Sequence, residues 1–75
     1  MDNQTVEQFI IFCLESYKTA IGISDEQAFN DFEKYDVFTY LAQGYDVLHT
    51  QGKLFIVADI KEYIANRKNN ETISR

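Results

Sequence analysis

His49 is the chain's one histidine and Cys13 its one cysteine, and between them they carry most of its capacity for nucleophilic or metal chemistry. A catalytic triad needs a nucleophile, a base and an orienting acid held in contact. Thr50 follows His49 directly, and adjacent side chains seldom meet in hydrogen-bonding geometry. His49 is therefore expected to pack or cap at a helix end. A zinc site needs more His or Cys than these two residues offer. Asp25-Glu26 and the set Asp31, Glu33 and Asp36 lack the alternation and central glycine of a calcium loop. They read as a solvated helical face. Gly22, Gly44 and Gly52 stand too far apart for a phosphate-cradling loop. A chain this short also leaves little volume for an enclosed pocket. The expectation is that the protein is not an enzyme, with no catalytic residue, no metal site and no cofactor.

Recognition chemistry is better represented. Six Phe and five Tyr are many for 75 residues. Most belong to the core, because a small core needs large side chains to bury enough surface. Tyrosine also tolerates half-exposure and is enriched at interfaces. Tyr40, Tyr45 and Tyr63, with Phe12 and Phe38, exceed what a few short helices bury, so some should lie on a binding face. Twelve acids against seven bases give a net charge of −5 and a pI near 4.6. The one basic cluster is Arg67-Lys68, which argues against nucleic acid and against an anionic membrane surface. An acidic surface keeps a small protein soluble, and it also suits a basic partner.

The elements that position these residues read as helices. There is no proline, and three glycines are too few turn residues for a many-stranded β protein. A first helix is expected from Gln4 to Ile21, capped by Asp2 or Asn3. Val6, Ile10, Cys13, Tyr17 and Ala20 form its apolar stripe, widened by Phe9, Leu14 and Ile21. Ile11 and Phe12 lie off that stripe, so this helix is either wrapped by the others or offers an apolar strip to another chain. Gly22 fits the left-handed stop, with Ile23 folding back on Tyr17. Glu15 and Lys18 form a surface pair. Ser24-Asp25-Glu26-Gln27 is a capping box for a second helix, with Ile23 and Ala28 as its hydrophobic staple. Its apolar face is Ala28, Phe29, Phe32 and Tyr35, and it ends near Lys34.

Asp36 is expected to cap a third helix that runs through Gly44 to about Gln51, carrying Val37, Phe38, Leu41, Tyr45 and Leu48. A rival reading makes residues 47–57 a β-hairpin turning at Gln51-Gly52; an isolated hairpin is weakly stable, so helix is preferred. The last helix runs to Lys68 and buries Ile56, Val57, Ile60, Tyr63 and Ile64. Arg67 and Lys68 would complement the negative end of its dipole. The fold expected is all-α, a compact bundle of about four helices, with one domain over residues 1–68 and a frayed tail over residues 69–75. No basic segment followed by an apolar stretch opens the chain, and no apolar run approaches ~20 residues. A lone cysteine forms no internal disulfide, so a reducing cytoplasm is the expected address.

The run Tyr45-Asp46-Val47-Leu48-His49-Thr50-Gln51-Gly52 is followed by Phe55-Ile56-Val57-Ala58-Asp59-Ile60 and by Tyr63-Ile64. It is preceded by Phe9-Ile10-Ile11-Phe12-Cys13-Leu14-Glu15. Over most of residues 6–67 the chain resembles a family of short bacterial proteins of unknown function. In that family a Tyr-Asp-x-Leu-His-Thr core precedes an Ile-Val-x-Asp-Ile segment. Its members are often encoded beside a larger protein resembling an ADP-ribosyltransferase, in a toxin–antitoxin-like arrangement. The resemblance implies recurrence of Tyr45, Leu48, His49, Thr50 and Gln51, whether they touch a partner or hold helices together.

Residues and resemblance together point to a small acidic cytoplasmic interaction module, an antitoxin-like inhibitor of an ADP-ribosyltransferase-like protein. The expected partner-binding residues are Tyr45, His49, Thr50, Gln51, Phe12, Asp25 and Glu26. An aromatic patch would dock while the carboxylates complement a basic groove. Two other readings stay open: a homodimer paired through Ile11 and Phe12, and an acidic nucleic-acid mimic.

Overall fold

The computed structural model describes residues 3–73, with side chains for residues 5–69, and within them the chain is helical without strands. Five helices follow in order: α1 (Asn3–Ile21), α2 (Asp25–Lys34), α3 (Val37–Gln43), α4 (Tyr45–Leu48) and α5 (Lys53–Ile73). The all-α bundle read from the sequence is the observed fold. Capping of α1 by Asp2 or by the Asn3 side chain lies outside the described residues.

The α1 stop forms as its sequence predicts. Gly22 takes φ 77°, a left-handed value that costs glycine nothing. The Gly22 and Ile23 amides both donate to the Lys18 carbonyl, at 2.8 and 3.2 Å. The capping box is complete: the Gln27 amide donates to Ser24 Oγ at 3.1 Å, and the Ser24 amide donates to Gln27 Oε1 at 3.3 Å. Ala28 is fully buried, and Ile23 is half-buried against the core.

Asp36 departs from expectation. Its side chain makes no cap hydrogen bond to α3, and its backbone sits at φ 59°, ψ 38°. Its amide reaches the Glu33 carbonyl at 3.3 Å. Asp36 therefore acts as the left-handed stop of α2, the place glycine usually takes. A short polar side chain tolerates that region better than most.

Gly44 ends the third helix early, so no continuous helix runs from Val37 to Gln51. Its amide donates to the Tyr40 carbonyl at 3.0 Å, and its own carbonyl accepts from Leu48 at 2.8 Å. Leu48 packs close over the glycine: a Cβ on Gly44 would lie 3.0 Å from Leu48 Cδ1. Residues 47–57 form no hairpin but the end of α4, a turn and the start of α5. The last helix continues to Ile73. Arg67 and Lys68 thus lie inside α5 rather than in its last turn, and Arg67 instead sits over the Tyr63 ring at 5.4 Å.

Phe32, Leu41, Ile56, Ile60, Val37 and Cys13 are the largest fully buried side chains. The buried stripe of α1 is centred on Phe9, Cys13, Ser16 and Tyr17, while Val6 and Ile10 are half-buried and Ala20 is exposed. Small Ser16 and Cys13 fit where α1 meets its neighbours. Ile11 and Phe12 are exposed, so α1 is not wrapped on all sides.

Ring contacts fix the helix directions. Tyr17 packs on Phe32, and Phe32 on Phe38, tying α1 through α2 to α3. Tyr35 lies under Lys68, and further along the chain Tyr40 stacks on Tyr63, so α3 runs antiparallel to α5. Phe9 meets Tyr45 near the start of α1, whereas Tyr17 and Ile21 share a groove with Ile64 and Lys68. α1 and α5 therefore run side by side in the same direction.

Candidate protein-interaction surface

The geometry is best understood from α4, a single turn held between Gly44 and the His49–Gly52 turn. Tyr45 is half-buried, with its ring edge-on to Phe9 at 5.4 Å and 76°. The His49 ring stacks on Tyr45 at 4.2 Å, nearly parallel at 10°. His49 Nδ1–H donates to the Tyr45 carbonyl at 2.6 Å, and the His49 amide donates to the same oxygen at 3.0 Å. A carbonyl only accepts, so Nδ1 carries the proton of this bond. Thr50 Oγ1 donates to the Val47 carbonyl at 2.8 Å. His and Thr side chains thus satisfy carbonyls that a helix end leaves without partners. Leu48 is buried between them and anchors the turn in the core.

Tyr45, His49 and Thr50 are therefore brought together, and Gln51 follows as an exposed residue of the same turn. Two aromatic rings, a hydrogen-bonded imidazole and a threonine make a rigid corner. His49 caps a helix end, the role expected of a histidine in that position. The corner does not hold the other expected residues. Phe12 is 43% exposed on α1, one turn beyond the Phe9 that touches Tyr45. Asp25 and Glu26 lie at the start of α2, where Asp25 pairs with Lys18, nine residues along α1 from Phe9 and about 13 Å by helical rise. Lys18 bridges Asp25 at 2.7 Å and Glu15 at 3.1 Å. Part of the acidic charge proposed for a partner is thus met within the chain, and these carboxylates in turn raise the Lys18 pKa.

Apolar residues around the corner carry a signal that the sequence reading missed. Val47 is 66% exposed, Leu54 85% and Phe55 53%. They bracket the turn from both sides, in the last turn of α4 and the first of α5. Their period marks them: Val47 precedes the buried Leu48, and Leu54-Phe55 precede the buried Ile56-Val57, so each falls off the inward stripe. The surplus tyrosines have a different fate. Tyr40 and Tyr63 stack on each other at 4.0 Å and 16°, half-buried. Tyr40 also donates to Asp59 Oδ2 at 2.6 Å, and with burial this pushes its phenol up to about 12. Phe38 is half-buried against Phe32 and Phe29, and Phe29 is the more exposed of that pair.

No group of three or more His, Cys, Asp or Glu able to hold a metal ion occurs among the described residues. Cys13 is buried, and burial pushes its thiol up to about 12, so it is a poor nucleophile. Among the described residues no helix is long and apolar enough to cross a membrane.

A model of a family described as a protein of unknown function (DUF3791) matches residues 8–67. The chain belongs to that family. No curated protein and no solved structure matches it.

Proposed function

We propose that this DUF3791 member is a small acidic cytoplasmic protein-interaction module that docks a protein partner on the Tyr45–His49 corner. The observation that supports this most is the exposure of Val47, Leu54 and Phe55 in the helical turns on either side of the His49–Gly52 turn, beside the stacked Tyr45 and His49 rings in sequence. Leu54 and Phe55 are consecutive exposed apolar side chains, and exposed apolar patches mark interaction sites. Stacked Tyr and His rings, already held by internal hydrogen bonds, lose little entropy on binding.

The partner fits an ADP-ribosyltransferase-like protein encoded beside the chain, and the mode of action is antitoxin-like occlusion of that protein. This finer reading rests on the resemblance described above and on a surface carrying net charge −5. Glu26 is in no ion pair among the described residues and can meet a basic partner, while Asp25 first has to share with Lys18. Co-expression with the neighbouring gene's product is the test. A stoichiometric complex and relief of that product's toxicity are expected. Absence of both removes the inhibitor reading.

A further inference from the structure

The outer side of α2 carries a ring that the core leaves uncovered. Phe29 and Phe38 meet at 5.3 Å and 53°. Phe38 is half-buried and reaches on to the buried Phe32 at 5.5 Å. Phe29 is 45% exposed, and Phe38 is its one ring neighbour among the described residues. Ala42, one turn beyond Phe38 on α3, is also exposed and extends the apolar face.

The carboxylates of α2 divide in two. Asp25 pairs with Lys18 at 2.7 Å, and Asp31 accepts from the Tyr17 hydroxyl at 2.9 Å. Glu26 and Glu33 are exposed, and neither is in an ion pair among the described residues. Lys34, on the same helix, lies over the Tyr35 ring at 5.4 Å and pairs with neither. Glu26 stands three residues before Phe29 and Glu33 four after it, which makes both its neighbours on one helix face. The unpaired charge of α2 is thus the charge that brackets its exposed ring. The two carboxylates are seven residues apart, about 10 Å by helical rise.

Charge selects the occupant of this face. A neutral partner would cover both carboxylates without pairing them, and an acidic one would be repelled. A cation gains from the carboxylate and from the ring together. A guanidinium does so best, because its planar fork matches a carboxylate and also lies flat on an aromatic face. We infer that the Phe29–Phe38 face docks a basic amphipathic helix of a partner protein, with two arginines seven residues apart on either side of an apolar side chain. The apolar side chain covers Phe29, and the arginines pair with Glu26 and Glu33. This rests on the reading that Glu26 meets a basic partner, and it places that contact on α2.

The test titrates synthetic helical peptides into the isotope-labelled full chain and follows its amide NMR shifts. The peptides share one leucine stripe and carry either Arg or Glu at two positions seven residues apart. The Arg peptide should shift residues 26–33 and 38–42 and bind at least about tenfold more tightly than the Glu peptide. Glu26→Gln/Glu33→Gln should weaken it about tenfold, whereas Asp46→Asn/Glu62→Gln, which removes the same charge from other exposed positions, should leave it within about twofold. Phe29→Ser should weaken it about tenfold as well. Equal binding of both peptides, equal loss in the two double variants, no shifts at millimolar peptide, or shifts centred on Tyr45–Thr50 would overturn the inference. So would α2 shifts that grow with protein concentration alone, which would assign the face to a second copy. The titration needs no neighbouring protein, so its failure and that of the co-expression test are told apart.

Discussion

At the scale of single residues, buried hydroxyl and thiol groups couple this fold to pH. The Tyr17 phenol is pushed well above its usual value by burial and by its hydrogen bond to Asp31 at 2.9 Å. Tyr40 is pushed up to about 12 by burial and by Asp59, and Cys13 to about 12 by burial. For each, the folded state holds its proton more tightly than the unfolded chain does. Their contributions are fully present below the unfolded values, 9.0 for the thiol and 10.0 for the phenols, and are lost as pH rises toward the folded ones. Thermal melts should therefore hold steady to about pH 9 and then fall steadily to pH 12, less steeply in Tyr40→Phe. The same burial protects Cys13: alkylation by iodoacetamide at pH 8 should be negligible in the native protein and rapid in urea. Prompt native labelling would show that the helices around it open. Asp36 is the opposite case, a residue held where its side chain earns nothing. With φ 59° and no capping bond, Asp36→Gly should stabilise the fold by roughly 0.5–1 kcal/mol, read as a rise in the denaturation midpoint. A fall would mean that the carboxylate has a partner.

At the scale of elements, the helices that the chain announces locally were legible, and those set by tertiary contact were not. Ser24 and Gln27 satisfy each other's amides within four residues, so the start of α2 could be read from sequence alone. Gly22 and the Glu15–Lys18 pair are equally local. The break at Gly44 is different. Gly44 and Leu48 stand four residues apart and are joined by a helical amide-to-carbonyl bond of 2.8 Å, so the apolar period carries across the glycine and α3 and α4 read as one helix. Asp36 looked like a cap because aspartate favours helix starts, but the same short side chain also tolerates the left-handed stop that the α2–α3 reversal needs. Of the candidate surface, Tyr45, His49 and Thr50 were legible through their shared run. Val47, Leu54 and Phe55 were not, since exposure follows from where the other helices leave a gap. Gly44→Ala tests how closely Leu48 packs on the glycine. Its methyl would meet Leu48 Cδ1 at 3.0 Å and the Tyr40 carbonyl at 3.3 Å, and Leu48 is buried and cannot swing away. A cost of about 1 kcal/mol in chemical denaturation is expected. A gain would show that Gly44 is only an imperfect helical residue.

At the scale of the molecule, a 75-residue chain builds one core. Among the described residues, apolar side chains stay uncovered where α4 turns into α5, at Val47, Leu54 and Phe55 near the Tyr45–His49 stack in sequence. If the proposed partner binds, it adds buried apolar area to a core that is small by necessity. Partner binding should accordingly raise the melting temperature, and the exposed residues at the corner should matter more to the complex than to the free fold. The most direct test compares complex formation by wild type and by Val47→Asp/Leu54→Asp, using light scattering on the co-expressed neighbouring protein. Both substitutions lie at exposed positions, so the circular dichroism of the free variant should match wild type. The account predicts a one-to-one complex for wild type and separate species for the variant. A complex that survives both charges unchanged would contradict it and move the interface away from the Tyr45 corner.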